Sequence, residues 1–423
     1  MNNLLSIFLK SGKISTDTRK IERGSIFFAL KGPNFNGNKF AEKAISLGAI
    51  VAVIDEPEYQ NENTILVDNT LKSLQQLAHD YRNSISAKVI GLTGSNGKTT
   101  TKELLSKALG TKFNVFSTPG NFNNHIGVPL TLLSIPQNTD FAIIEMGDNK
   151  PGDIKELCEI ACPDLGFITN IGKDHIEGYG TMEGNIATKK ELVDYLDQNN
   201  RLFIYSSDSE NVPNLAIGIK KSLEINNYLS SYNFKQLPSN PFVTYEIGEN
   251  FYETNLVGDY NFENIKFSIA ISHYLEVELP TSNKAICSYL PVNNRSQFIK
   301  TSYNEVILDA YNANPSSVEN ALKSFLKITS DLPKVAILGD MLELGNISKE
   351  EHLNVLNKLD NQNDVKPFFV GSIYFQFKDK FNYTFFDNTE DANNYFKINT
   401  IKKALVLFKG SRGIALEKLL ENF

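Results

Sequence analysis

Gly91-Leu92-Thr93-Gly94-Ser95-Asn96-Gly97-Lys98-Thr99-Thr100 decides the reading of this chain. The apolar pair Val89-Ile90 precedes it, and a stretch of helical character, Lys102-Glu103-Leu104-Leu105-Ser106-Lys107-Ala108-Leu109, follows. Strand, glycine loop and helix in that order are the context of a phosphate-binding loop. Glycines let backbone N–H groups converge on phosphate oxygens, and the helix N-terminus adds partial positive charge. Lys98 is expected to reach the β- and γ-phosphates of a nucleotide, and Thr99 to place its hydroxyl on Mg2+. The general spacing G-x-x-x-x-G-K-[ST], counted back from Gly97-Lys98-Thr99, requires glycine at position 92, where this chain has Leu. The plain alternative is a glycine-rich turn before a helix. The full T-G-S-N-G-K-T-T after a strand favours the phosphate loop.

Composition bounds the rest. A chain of 423 residues is long enough for two to four domains, and 41% hydrophobic residues supply ordinary cores. A net charge of −7 argues against a nucleic-acid binder working by bulk charge, so an anionic substrate must be met by local Lys and Arg. Three cysteines, Cys158, Cys162 and Cys287, make no paired framework and suit a reducing compartment. Cys158 and Cys162 fit core packing better than a metal site. No apolar run reaches the length of a membrane span, and the N-terminus lacks a basic region before an apolar core. A soluble, cytoplasmic protein without membrane insertion is expected.

An α/β fold in three domains is expected. Residues 1–85 read as a small α/β domain, with strands at Ser25–Leu30, Ala49–Ile54 and Thr64–Val67 and helices at Phe40–Leu47 and Leu71–Tyr81. The last two of these strands read as buried. Residues 86–293 alternate strands with helices around the phosphate loop, which implies a mainly parallel sheet. The strand Phe141–Glu145 delivers a carboxylate to its C-terminal end, where ligands bind in such sheets and where Glu145 can hold Mg2+. His175 follows the next strand end and reads either as a structural histidine or as a metal ligand. Ile186–Leu196 is helical with Lys189-Lys190-Glu191 early in it, a run that by itself reads as a solvated face. Asn121, Asn123 and Asn124 sit in an amide-rich segment that offers uncharged donors to a sugar or diphosphate. Residues 207–255 read as strands and loops at the outer edge of this domain. Asn261 and Asn264 share a face at the start of a helix, where capping would account for one of them. Residues 294–423 read as a Rossmann-like domain with no G-x-G-x-x-G, which argues against a dinucleotide. Its strand ends carry Asp309-Ala310-Tyr311-Asn312-Ala313-Asn314-Pro315, Gly339-Asp340 and Lys409-Gly410-Ser411-Arg412-Gly413.

These stretches resemble, in order and over nearly the whole chain, the Mur ligase family. Asp17-Thr18-Arg19 and Gly24–Gly32 look like that family's UDP-sugar domain, and Thr93–Thr100 like its ATP loop. Asn121-Phe122-Asn123-Asn124 looks like its substrate loop. Glu145-Met146-Gly147, Asn170-Ile171-Gly172 with His175, and Asn293-Asn294-Arg295-Ser296 also match. Asp309–Pro315 points to the member that joins D-alanyl-D-alanine to a UDP-N-acetylmuramoyl-tripeptide, and Lys409-Gly410-Ser411-Arg412 supports it. Three departures stand out. Tyr260 replaces a histidine in Gly258-Asp259-Tyr260-Asn261. Asp148-Asn149-Lys150 follows Glu145-Met146-Gly147, where the family more often has Ala-Asn-His. Thr188-Lys189-Lys190-Glu191 offers two lysines for one role.

The resemblance implies a division into a UDP-sugar domain (1–85), an ATP domain (86–293) and a ligase domain that takes the incoming dipeptide (294–423). It implies ATP on Gly94, Ser95, Asn96, Gly97, Lys98, Thr99, Thr100, Asn261, Asn264, Arg295 and Asp309. Mg2+ would lie on Thr99 and Glu145, and a second ion on His175 and a carbamylated Lys189, the first lysine of Lys-x-Glu. Lys98, His175, Lys189 and Arg295 would be catalytic. Thr18, Arg19, Lys31, Asn121, Asn123, Asn124, Tyr311, Asn312, Asn314 and Lys409 would meet the substrates. The C-terminal groups reach ATP only when their domain closes. A monomer is expected. Of the other readings, a nucleotide switch lacks a guanine-reading N-K-x-D, and a sibling ligase is argued against by Asp309–Pro315.

Overall fold

After Lys88, the strand Lys88–Thr93 is buried along its whole length, as a strand covered on both faces must be. It is the organising strand of a six-stranded parallel sheet. The order is Ser222–Glu224, Leu202–Tyr205, Leu165–Ile168, Lys88–Thr93, Phe141–Glu145, Val115–Ser117. The chain leaves Lys88–Thr93 toward one edge and later crosses to the other side. That strand and its two neighbours therefore flank a topological switch point, and their C-terminal ends open one crevice. The structure is a computed structural model and describes residues 2–360 and 362–423.

The helix Lys98–Leu109 follows the phosphate loop and packs on the helices Asn261–Tyr274 and Leu279–Cys287. Its buried Leu104, Leu105, Ala108 and Leu109 join Phe167 and Phe267, whose rings stack at 5.1 Å. Removing a ring of this kind from a core costs about 3–5 kcal/mol. Residues 207–255 hold more than edge loops. They contain an antiparallel sheet of Lys235–Leu237, Phe242–Ile247 and Asn250–Val257, closed by Tyr245 against Phe262 and Phe234. Its short strands gave no regular apolar alternation to read.

The N-terminal sheet is parallel in the order Ile14–Ser15, Ile26–Phe28, Val51–Ile54, Thr64–Leu66. Thr64–Leu66 is a half-exposed strand at the edge of the sheet and not a buried one. The helix Thr70–Ser84 joins this sheet to the central domain. Tyr81 donates to the Ile135 carbonyl at 2.7 Å, and Arg82 pairs with Asp164 at 2.7 Å.

In the C-terminal domain the sheet order is Gln297–Lys300, Glu305–Asp309, Leu405–Lys409, Lys334–Gly339, Val365–Val370, Thr384–Phe386. All neighbours are parallel except the first pair. The antiparallel edge Gln297–Lys300 was not foreseen, because Arg295-Ser296 before it reads as a loop. The chain closes in a 3-10 turn at Leu416–Asn422, entered through Ala415 at φ 57°.

Candidate active site

Two glycines make the phosphate loop possible. Gly94 has φ 139°, and a Cβ there would sit 2.1 Å from Thr169 Oγ1. Gly97 has φ 79°, and its Cβ would sit 2.3 Å from Asn264 Oδ1. Gly97 also opens the helix Lys98–Leu109 without a side-chain cap. The first N–H groups of that helix lack intrahelical acceptors and face the crevice mouth, where an anion can take them. Lys98 Nζ donates back to the Gly94 carbonyl, so the ammonium lies over the loop.

Glu145 is placed by its strand and held from four sides. Its N–H donates to Thr118 Oγ1 at 2.9 Å. Its carboxylate accepts from Thr99 Oγ1 at 3.0 Å and from Asn123 Nδ2 at 2.9 Å. The fully buried Lys102 lies 3.8 Å from it and donates to the Thr118 carbonyl at 2.6 Å. A hydroxyl beside a carboxylate at a phosphate loop suits Mg2+, which takes one or two carboxylates along with substrate phosphates and water. Among the described residues no three His, Cys, Asp or Glu side chains form a metal cage alone. This donor set therefore fits an ion that arrives with a nucleotide.

Lys189 is the largest departure from expectation. The helix that carries it begins at Met182, capped by Thr181 Oγ1 accepting from the Gly184 N–H at 3.1 Å. Lys189 thus stands two turns inside the helix, away from the favourable N-terminal field. It is not on a solvated face: Lys189 is fully buried, while Lys190 is exposed and pairs with Asp194. Lys189 Nζ donates to Asn185 Oδ1 at 2.5 Å, Asp148 Oδ2 at 3.1 Å and Tyr179 Oη at 3.4 Å. Asp174 Oδ2 lies 3.7 Å away. Burial raises the Asp174 carboxyl, but Lys189, Lys98 and the Ser95 hydroxyl together carry it below the usual carboxylate range. Burial and Asp148 push the Tyr179 phenol up, so it stays a donor.

His175 does not meet Lys189. It adopts φ 45° and its Nδ1 lies 2.8 Å from Glu343 Oε2 of the C-terminal domain, itself at φ 67°. His175 and Lys189, expected around a second metal, are here each engaged by other side chains. Three further contacts join the same domains: Lys173 to Glu351 at 2.7 Å, Asn314 Nδ2 to Asn96 Oδ1 at 2.9 Å, and Asn96 Nδ2 to Ser316 Oγ at 3.0 Å.

Between these walls lies a cavity of ≈ 800 Å³. The central domain contributes Ser95–Thr100, Asn121, Asn123, Asn124, Glu145, His175, Asn261 and Asn264. The C-terminal domain contributes Arg295, Asp309, Tyr311, Asn312, Asn314 and Lys409. Arg295 lies flat on Tyr311, 3.6 Å from the ring centroid. The backbone on both sides of it, at Asn294 and Ser296, is left-handed. Lys409 pairs with Asp309 at 3.0 Å and donates to the Asn312 carbonyl at 2.7 Å. Asn314 caps the helix Pro315–Lys327 while its amide reaches Asn96.

Neither Asn261 nor Asn264 is a cap. Asn261 donates to the Val257 carbonyl at 2.8 Å, and Asn264 to Asn261 Oδ1 at 2.8 Å, beside Gly97. Tyr260 is half-buried, bonded to Ser296 Oγ at 2.8 Å, and its phenol is raised by desolvation. Thr18, Arg19 and Lys31 do not line the cavity. Arg19 is held by Asp17 at 2.7 Å, whose carboxyl it lowers to about 2, and Lys31 by Asp55 at 3.0 Å. Lys102, Asp174, Asn185, Tyr179 and Glu343 were missed. Only Asp148 left a signal, as a carboxylate where the resembled pattern has alanine.

Comparison with known proteins gives three family-model matches: the Mur ligase family catalytic domain over residues 12–82, the Mur ligase middle domain over 92–272, and the Mur ligase glutamate ligase domain over 294–412. The UDP-N-acetylmuramoyl-tripeptide–D-alanyl-D-alanine ligase of Bacillus subtilis is 34% identical over 97% of this chain and 92% of its own. The crystal structure of MurF from Acinetobacter baumannii superposes with a TM-score of 0.85 at 28% identity, over 97% of this chain and 92% of that one. MurF from Thermotoga maritima in complex with ADP gives 0.85 at 26%, over 100% and 98%.

Proposed function

The chain belongs to the Mur ligase family, and from that premise we propose that it joins D-alanyl-D-alanine to UDP-N-acetylmuramoyl-tripeptide at the expense of ATP. The observation that carries the reading is the single cavity with the phosphate loop on one wall and Arg295, Asp309, Tyr311 and Asn314 on the other. A nucleotide switch would have no use for the second wall.

A carboxylate is not electrophilic, so it must be activated. The tripeptide carboxylate attacks the γ-phosphorus of ATP, the bond to ADP breaks, and an acyl phosphate forms. The amine of D-alanyl-D-alanine then attacks the carbonyl carbon, phosphate departs with its oxygen, and the amine releases a proton. Lys98 and the N–H groups of the loop take the charge of the β- and γ-phosphates. Arg295, held flat on Tyr311, stands on the side where the γ-phosphate is transferred. Thr99 and Glu145 would hold Mg2+, which when bound supplies charge stabilisation on phosphate oxygens. Asn261 and Asn264 support the nucleotide side of the loop. Asn123 and Asn124 meet the UDP-linked substrate with Asn121. Tyr311, Asn312 and Asn314 receive the dipeptide, and Lys409 holds Asp309 in place through their ion pair. Thr18, Arg19 and Lys31 take the uridine diphosphate end, remote from the reacting atoms.

Among the described residues no helix is long and apolar enough to cross a membrane. Free cysteines and nucleotide substrates support a cytoplasmic location. The test is phosphate release by purified protein with ATP and Mg2+. Release is expected only when the UDP-linked tripeptide and D-alanyl-D-alanine are both present. Release indifferent to the dipeptide would overturn the reading.

A further inference from the structure

Arg295 stands in a stretch of backbone that needs outside support. Asn293, Asn294 and Ser296 around it have φ 59°, 57° and 49°. Asparagine visits this left-handed region through its short polar side chain, but serine seldom does. Such a residue persists where its surroundings over-determine it. Three contacts hold Ser296. Its N–H donates to Asp309 Oδ1 at 3.2 Å, within the C-terminal domain. Its hydroxyl lies 2.8 Å from Tyr260 Oη and 3.4 Å from Asn261 Nδ2, both at the start of the central-domain helix Asn261–Tyr274. Tyr260 Oη also lies 3.5 Å from Asp309 Oδ2. Desolvation and the Asp309 carboxylate push the Tyr260 phenol up, so it keeps a proton to give to either oxygen.

The turn before that helix is shaped for the reach. Gly258 has φ 97°, and a Cβ there would sit 2.4 Å from Tyr260 Cε1, so the ring folds back over the glycine. Asp259, between the two, is tied to the helix Pro315–Lys327. Its N–H donates to Ser324 Oγ at 3.2 Å, and its carboxylate pairs with Lys327 at 3.3 Å. One short turn of the central domain thus grips the C-terminal domain at two points, one of them beside Arg295. The resembled pattern has histidine in place of Tyr260, and histidine carries no hydroxyl beyond its ring. We propose that Tyr260 is a positioning residue whose hydroxyl locks Ser296 and thereby fixes Arg295 flat on Tyr311 in the cavity wall. The lock crosses the domain boundary, from the turn that leads directly into Asn261 and Asn264. The kinetic arm below rests on the ligase reading; the exchange arm does not.

The exchange arm compares amide hydrogen exchange in wild-type protein and in Tyr260→Phe, read by mass spectrometry. Peptides covering 293–298 should exchange faster in the variant, while those of the central strand Lys88–Thr93 stay unchanged. Unchanged exchange at 293–298 would overturn the proposal, and so would acceleration spread through the whole core. Ser296→Ala removes the other end of the same bond and should give the same local pattern. The kinetic arm measures kcat and nucleotide affinity separately. Loss of this one hydrogen bond should lower kcat about tenfold in Tyr260→Phe and leave the Kd for ADP, measured by titration, unchanged. Ser296→Ala should lose the same factor, and the double variant no more than either, because each removes one shared bond. Additive losses in the double variant, or weakened ADP binding with kcat unchanged, would overturn the proposal. Without dipeptide-dependent turnover in wild type the ligase reading itself fails, and the exchange arm alone decides the lock.

Discussion

The two walls of the cavity are held by different means. On the central-domain wall, backbone does most of the holding. Gly94 and Gly97 bend the loop where no side chain fits, and the strand end presents Glu145 directly to Thr99. On the C-terminal wall the polar side chains hold one another: Lys409 with Asp309, Arg295 with Tyr311, Asn314 with its own helix. The first wall is preorganised for a nucleotide whatever its partner does. The second becomes part of the site through a few side-chain contacts with the first, chiefly Asn96 with Asn314 and His175 with Glu343. Damage to the first wall should therefore abolish chemistry, and damage to the second should misplace it.

Lys98→Ala gives the largest expected effect. Turnover should fall about 10²-fold or more, as when a charge stabiliser is removed from phosphoryl transfer. Circular dichroism should show the fold intact, and near-normal turnover would show that the loop is not the phosphate site. Gly97→Ala comes next. Its Cβ would press on Asn264 Oδ1, so the loop must shift, and nucleotide affinity measured by titration should drop along with turnover.

Asn314→Ala probes the junction of the walls. It removes a helix cap, at ~1 kcal/mol of stability, and the bridge to Asn96. Nucleotide binding to the central wall should persist, while the KM for D-alanyl-D-alanine rises about tenfold. Equal loss of both affinities would mean that the walls are not separable. Lys31→Ala should be mildest. Lys31 lies outside the cavity and pairs with Asp55, so the KM for the UDP-linked substrate should rise while that for ATP stays unchanged.

The same contrast explains what could be read in advance. The phosphate loop, the Glu145 strand end and the parallel central sheet rest on local patterns: an apolar run, glycines at fixed spacing, a helix after them. These were legible. The burial of Lys189 was not, because Asp148 and Asp174 come from loops outside its helix and only the fold brings them to it. The helix start was misplaced for a similar reason. Met182-Glu183-Gly184 looks unlike a helix until Thr181 caps it. The antiparallel sheet between 235 and 257 is built of short strands whose pairing is set by contacts with the helix Asn261–Tyr274 and its neighbours. Arg19 and Lys31 read as loop charges, and their ion pairs with Asp17 and Asp55 do not by themselves mark a binding surface.

The central claim is that the cavity activates a carboxylate by phosphoryl transfer and then passes it to an amine. It is tested most directly with UDP-N-acetylmuramoyl-tripeptide carrying 18O in both oxygens of its terminal carboxylate. One turnover with ATP and D-alanyl-D-alanine should place one 18O in the released phosphate and leave the other in the new amide, read by mass spectrometry of both products. Phosphate free of 18O would contradict the account, because the carboxylate would then never have been joined to phosphorus.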